Sequence, residues 1–144
     1  MRIELTLDWP YERLSSYGAD ITAAMRKLVE RFPNEFTVES LFEEISTGKA
    51  QLWLILDDDG AFRAFVMSEI RVNDATGFKS LILSELAGEG GVDVVPLIGP
   101  IEEWAREQGC SDLRPMGRAG WRKALEKHGY KLDICLYRKD LTNG

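Results

Sequence analysis

The sequence predicts an α/β domain with a mixed central sheet of about six strands, flanked by about four helices. Short apolar runs alternate with stretches in which apolar residues recur every three or four positions, so strands and helices alternate along the chain. Three successive strand-like runs in the middle are typical of an antiparallel meander. A strand–helix–strand order follows them, which favours parallel pairing. With 144 residues, the chain is predicted to form a single domain over residues 1–144.

In the N-terminal half, the alternating segment RIELTL (2–7) suits a first strand. Thr37 can cap a helix that Gly48 ends, because a left-handed glycine terminates helices well. A helix before it is predicted by apolar residues at helical spacing, which are Ile21, Met25, Leu28, Val29 and Phe32.

The rest of the chain supplies most of the predicted sheet. Its strands are predicted at residues 52–56, 61–72, 78–86, 112–116 and 131–141. A helix over residues 93–108 contains Pro100, which is expected to kink the helix or delay its regular part. Another helix is expected to end at Gly129 before the last strand.

Composition excludes several classes of function. The net charge of −6 argues against a nucleic-acid binder, which needs a basic surface. Cys110, Cys135 and His128 are too few for a disulfide framework or a recognisable metal site. Both cysteines are expected to be small buried residues. No segment is long and apolar enough to suggest a membrane span or a signal peptide, so we expect a cytoplasmic protein.

The segment ELAGEGG (85–91) places three glycines between a predicted strand and a predicted helix. Glycines let an anion approach backbone N–H groups closely, and a helix N-terminus adds partial positive charge. A pyrophosphate would fit such a loop. Alternatively, the loop is only a flexible turn, in which Glu89 and Asp93 cap the helix.

This element order resembles the Gcn5-related N-acetyltransferase (GNAT) fold, the acyl-CoA N-acyltransferase fold, from about residue 18 to 141. After the fourth strand that family has Gln or Arg, two residues, Gly, one residue, then Gly or Ala. Gly88 and Gly90 match this pattern, whereas Glu85 stands where Gln or Arg is usual. The segments LWLIL, EEWAREQGC and GRAGWRKALEKHGY are most similar to small GNAT-like proteins of phage and prophage genomes.

The resemblance implies that acetyl-CoA is a co-substrate. It would lie in a V-shaped opening between the strands at 78–86 and 112–116, and its acetyl group would pass to an amine through a tetrahedral intermediate. Arg118 is the best candidate in the basic segment RPMGRAGWRK to meet the 3′-phosphate, although such charges can equally be solvated surface residues. The residues expected to bind acetyl-CoA are Ser84, Leu86, Gly88, Glu89, Gly90, Gly91 and Arg118.

An amine acceptor must lose a proton, so a carboxylate near the reacting carbon is expected. Glu85 is the candidate catalytic base, and Glu69 is the other carboxylate on the central strands. Leu125 stands where many family members have a tyrosine that acts as general acid. Two functions stay open: N-acetyl transfer to a small-molecule or protein amine, or a catalytically silent GNAT-like binding or structural protein. A homodimer is also possible, because sheet edges often pair.

Overall fold

The computed structural model describes residues 1–88, 94–117 and 121–142. In these residues one five-stranded sheet has the order β1-β2-β3-β4-β5. The first four strands pair antiparallel, and β5 pairs parallel to β4. This confirms the predicted α/β class with a mixed sheet. The strands are β1 (Arg2–Leu5), β2 (Gln51–Leu56), β3 (Phe62–Val72), β4 (Lys79–Gly88) and β5 (Asp112–Pro115).

Five α-helices lie in the described part of the chain: α1 (Tyr11–Ser15), α2 (Gly18–Arg31), α3 (Val38–Ser46), α4 (Gly99–Glu107) and α5 (Arg122–Lys127). The short helix α1 was not predicted. Thr37 caps α3 as expected, since its side chain accepts from the Ser40 N–H and the Ser40 hydroxyl accepts from the Thr37 N–H. Every described helix is too short or too polar to cross a bilayer.

Pro100 delays the regular part of its helix, which is one of the two predicted effects. A 3₁₀ turn at Val95–Leu97 comes first, and α4 begins only at Gly99 instead of at residue 93. Proline lacks an N–H and is therefore well tolerated in a first helical turn, where no intrahelical acceptor exists.

Both faces of the sheet are covered by helices. On one face, Trp53 and Ile55 of β2 pack in a core that includes Ile101 of α4. On the other face, Leu54 packs in a second core with Met25 of α2. Successive strand residues point to opposite faces, so a strand covered on both sides is expected to be mostly apolar. This accounts for the apolar run 52–56 of β2, in which every residue is buried.

The predicted sixth strand at 131–141 is not formed. Residues 131–142 contain no helix or strand, and the Leu132, Ile134 and Leu136 residues are 55%, 83% and 92% exposed. Their alternation gives a strand-forming pattern, but a strand also needs a neighbouring edge, and no described residue pairs with this segment. The exposed Cys135 likewise contradicts the expectation that both cysteines are buried.

Candidate functional site

A β-bulge interrupts β4 at Ser84. Ser68 of β3 lies opposite Leu83, and Met67 lies opposite Glu85, so Ser84 has no partner across the ladder. An extra residue of this kind bends the strand and increases its local twist. The bulge therefore changes the direction of β4 at the residue where the sequence predicts the site to begin.

The pairing of β4 with β5 stops at the same place. The parallel ladder runs from Ser80 opposite Asp112 to Leu83 opposite Pro115. The backbone N–H of Met116 donates to the Leu83 carbonyl at 3.0 Å, which is the last described contact between the two strands. Beyond Leu83, β4 continues to Gly88 and pairs with β3 alone among the described residues.

This arrangement leaves an opening beside residues 85–88. One backbone edge of that stretch is hydrogen-bonded to β3, and no described strand lies along the other edge. Backbone N–H and C=O groups at a free edge can pair with any extended chain that carries amides. The opening can therefore bind an extended, amide-containing molecule as an additional strand.

A buried hydrogen-bond chain joins β2 and β3 beside the bulge. The Trp53 Nε1–H donates to the Ser68 Oγ at 2.9 Å, and the Ser68 hydroxyl donates to the Gln51 Oε1 at 2.9 Å. The Trp53 ring also meets the Trp104 ring of α4 edge to face, with centroids 5.8 Å apart. Strands β2 and β3 and helix α4 are thus joined next to the opening.

Sequence reasoning missed this hydrogen-bond chain. Its signal was the presence of two polar residues, Gln51 and Ser68, beside or within strongly apolar strands. A polar side chain in such a strand is buried only when it has a hydrogen-bond partner. The identity of the partners depends on which strands are neighbours, and that was not readable from spacing.

Among the predicted ligand-binding residues, the structure describes those on β4. Ser84 is the partly buried bulge residue. The backbones of Glu85, Leu86 and Gly88 follow it along the opening. Glu89, Gly90, Gly91 and Arg118 lie outside the described residues. The first described helical element after the glycine loop is the 3₁₀ turn at Val95–Leu97, and α4 follows it.

Glu69, the second candidate base, lies close to the bulge. It is opposite Ile82, one position before the Ser68–Leu83 pair. Its side chain is 26% exposed, and its Oε2 lies 3.9 Å from the Arg71 Nη2, at the outer limit of an ion pair. Glu69 is therefore a half-buried carboxylate on β3, the strand that pairs with the edge of β4 away from the opening.

Leu125 and Tyr130 are the two residues to consider as a general acid, and neither releases a proton readily. Leu125 packs against the core between the sheet and α4, so its position supplies no acid. The Tyr130 hydroxyl donates to the Glu102 Oε2 at 2.7 Å. Burial, followed by this hydrogen bond and the charge of Glu102, raises the pKa of Tyr130 far above its ordinary value. Its proton is consequently retained by the contact with Glu102.

A polar cleft of about 190 Å³ lies between α4, β5 and α5, with Arg106, Asp112 and His128 in its wall. It adjoins the beginning of β5, whereas the opening adjoins the other end of that strand. The exposed His128 has its Nδ1 3.0 Å from the Ala124 carbonyl. Within the described ranges, His, Cys, Asp and Glu side chains form no group of three that could bind a metal ion.

Two of the predicted basic residues have local partners. The Arg114 Nε donates to the Asp112 Oδ2 at 2.9 Å, and the Arg122 Nε donates to the Glu126 Oε1 at 2.7 Å. Both pairs are largely exposed and contribute little to stability. These two arginines are best described as paired surface residues, and the contacts of Arg118, the predicted anion-binding residue, lie outside the described part of the chain.

Several solved acetyltransferases have similar structures. An acetyltransferase from Trypanosoma brucei gives a TM-score of 0.67 at 13% identity, over 97% of this chain and 99% of that chain. The ribosomal-protein-alanine N-acetyltransferase of Brucella melitensis gives 0.63 at 12% identity, over 99% and 98%. A soil-metagenome aminoglycoside acetyltransferase, solved with sisomicin, gives 0.64 at 12% identity, over 98% and 96%.

No protein-family model matches the chain, and no curated protein matches it. The structural similarities extend over nearly the whole chain at very low sequence identity. They show that the fold is GNAT-like.

Proposed function

We propose that this protein is an acetyl-CoA-dependent N-acetyltransferase that acts on an amine of a small molecule or a protein. The observation that carries this proposal is the opening beside β4. There the ladder with β5 ends at Leu83, and β4 continues to Gly88 with one free backbone edge among the described residues. The GNAT-like fold and its similarity to acetyltransferases support it.

The residues of the opening fit the chemistry of acetyl-CoA. Its pantetheine arm is extended and carries two amides, so it can pair with the free edge of β4 near Ser84 to Leu86 in the manner of an added strand. The pyrophosphate would then lie against the backbone of residues 88–91, where glycines allow close approach. Arg118 would bind the 3′-phosphate of acetyl-CoA through its guanidinium group.

This chain would contribute a base and a binding edge to the reaction. Acetyl-CoA supplies an activated thioester when bound. Glu85, the first β4 residue after the bulge, would remove the proton from the attacking amine, and Glu69 is the nearest described alternative. Leu125 offers no proton to the leaving CoA thiolate. The departure of that thiolate therefore would not depend on an acid at position 125.

The alternative function is binding without transfer. Leu125 in place of a tyrosine favours it, as does a carboxylate at Glu85, where a negative charge opposes pyrophosphate binding. On this alternative the chain is a GNAT-like protein of phage or prophage origin that recognises a partner. We favour transfer, because the spacing of Gly88 and Gly90 is retained and the free edge of β4 follows directly on the bulge at Ser84.

Hydrogen–deuterium exchange with and without acetyl-CoA tests the proposal without knowledge of the acceptor. We expect amide exchange to slow in peptides that span residues 84–91 when acetyl-CoA is added. Exchange in β2 should stay unchanged, because that strand lies between two neighbours. Unchanged exchange in residues 84–91 at millimolar acetyl-CoA would contradict the proposal.

A further inference from the structure

The segment that follows α5 has the pattern of a strand but pairs with none of the strands that the structure describes. Leu132, Ile134 and Leu136 would share one face of an extended chain, and all three are exposed. Tyr137 and Leu141 are 90% and 81% exposed in the same segment. A contiguous group of large apolar side chains on the surface indicates an interaction site.

The turn that leads into this segment is well defined. Gly129 adopts a φ of +87°, a conformation that favours glycine. The Tyr130 N–H donates to the Leu125 carbonyl at 3.1 Å, and the Tyr130 hydroxyl is hydrogen-bonded to Glu102 of α4. These contacts fix the chain up to Tyr130, and the residues that follow the packed turn are exposed and form no helix or strand.

The outer edge of the sheet is available at β5. This strand pairs with β4 on one side, and no described residue pairs with its other side. A parallel alignment that places Leu132 beside Leu113 also places Lys131 beside Asp112 and Asp133 beside Arg114. Opposite charges then face each other on one side of the sheet, and leucines meet on the other.

We propose that residues 131–141 form a sixth strand on β5 of a second copy of this chain. Each chain carries both the free edge and the unpaired strand, so two copies can exchange their terminal segments symmetrically. Pro115 lacks an N–H, which limits the new ladder. Burial of the apolar side chains of the segment would therefore provide most of the stabilisation.

The first test is the oligomeric state of the full chain, measured by size-exclusion chromatography with light scattering over a concentration series. We expect a dimer that dissociates on dilution. Ile134→Asp should raise the dimer dissociation constant about tenfold or more, because a charge replaces an apolar residue in the interface. Lys139→Ala, outside the apolar face, is the matched control. A monomer at every concentration would overturn the proposal.

A disulfide test determines which chain receives the segment. The proposed alignment places Cys135 beside Met116, and neighbouring strands bring Cα atoms within disulfide range. One chain carries Cys110→Ser, Cys135→Ser and Met116→Cys, and the other carries only Cys110→Ser. We expect a disulfide between them after mixing and mild oxidation.

A third chain, with Cys110→Ser and Met116→Cys but with Cys135 retained, serves as the comparison. In this chain we expect covalent dimers on a non-reducing gel. A monomer with an internal disulfide would show that the segment returns to its own β5, and that result would overturn exchange between copies. Absence of any disulfide both in the mixture and in the third chain would overturn the alignment itself.

Discussion

Ser68 shows how a single buried residue can join two strands beside the opening. Its buried hydroxyl connects Trp53 and Gln51, both on β2, to the point on β3 that faces the β4 bulge. An unsatisfied buried polar group costs more than an average hydrogen bond contributes. The position therefore requires a small residue that both donates and accepts.

Replacing Ser68 with alanine should destabilise the protein. The change removes only the hydroxyl group, but the Trp53 N–H and the Gln51 side-chain carbonyl each lose their partner, and each such loss costs about 1–3 kcal/mol. We expect the free energy of unfolding in urea to fall by about 2 kcal/mol or more. Ser46→Ala is the control, because its hydroxyl bonds to the Glu43 carbonyl at the exposed end of α3. Equal stability of the two variants would contradict the structural role of Ser68.

The two proposed functions give Glu85 opposite roles: it is the base if the protein transfers acetyl groups, and it opposes pyrophosphate binding if the protein only binds a partner. If it is the base, Glu85→Gln should lower the rate of acetyl transfer by about 100-fold or more while acetyl-CoA still binds. The rate is measured by release of free CoA thiol with a panel of amines. Glu69→Gln, at the other candidate carboxylate, serves as the matched variant and should retain most of the rate.

The opposite pattern would support binding without transfer. A glutamine at position 85 removes a negative charge near the expected pyrophosphate, so acetyl-CoA would bind more tightly. Tighter binding combined with no transfer in either the variant or the original protein would contradict Glu85 as a base.

At the scale of elements, Tyr130 connects the end of α5 to α4. Its neutral phenol is hydrogen-bonded to Glu102, and the pKa of Tyr130 is raised by burial and by that contact. A raised pKa in the folded protein means that deprotonation opposes folding. The stabilisation is therefore complete below the ordinary tyrosine pKa of about 10 and is lost as the pH rises above it.

Tyr130→Phe should reveal this dependence. We expect the variant to be less stable than the original protein by about 1 kcal/mol at neutral pH, through loss of the hydrogen bond. That difference should shrink as the pH is raised above about 10. Tyr11→Phe is the control, because Tyr11 is exposed and should show no such trend. Thermal or urea unfolding at several pH values measures the stability difference between each variant and the original protein. If the difference for Tyr130→Phe stays constant across the pH series, the proposed linkage is contradicted.

Elements whose signal is local were predictable from the sequence. The capping residue Thr37 and the apolar run of β2 depend on a few neighbouring residues, and both are confirmed. The strand at 131–141 failed because alternation does not specify a partner edge. The start of α4 was misplaced because Pro100 permits either a kink or a delayed helix, and only packing decides between them.

At the scale of the whole molecule, the order of elements was sufficient to predict the mixed sheet and the GNAT-like fold. The site was predictable only in part. Ser84, Glu85 and Leu86 were assigned from the resemblance, whereas the bulge and the end of the β4–β5 ladder are properties of strand register. A bulge and the end of a ladder depend on how two strands pair, and the spacing of residues within one strand does not specify that pairing.

Calorimetric titration with acetyl-CoA tests the central claim most directly, with Gly90→Asp as the matched variant. We predict binding in the micromolar range that weakens at higher salt, because the pyrophosphate carries charge. The variant should stay folded and lose binding, since a carboxylate would enter the glycine loop. No heat and no thermal shift with the original protein at millimolar acetyl-CoA would contradict an acyl-CoA site beside β4.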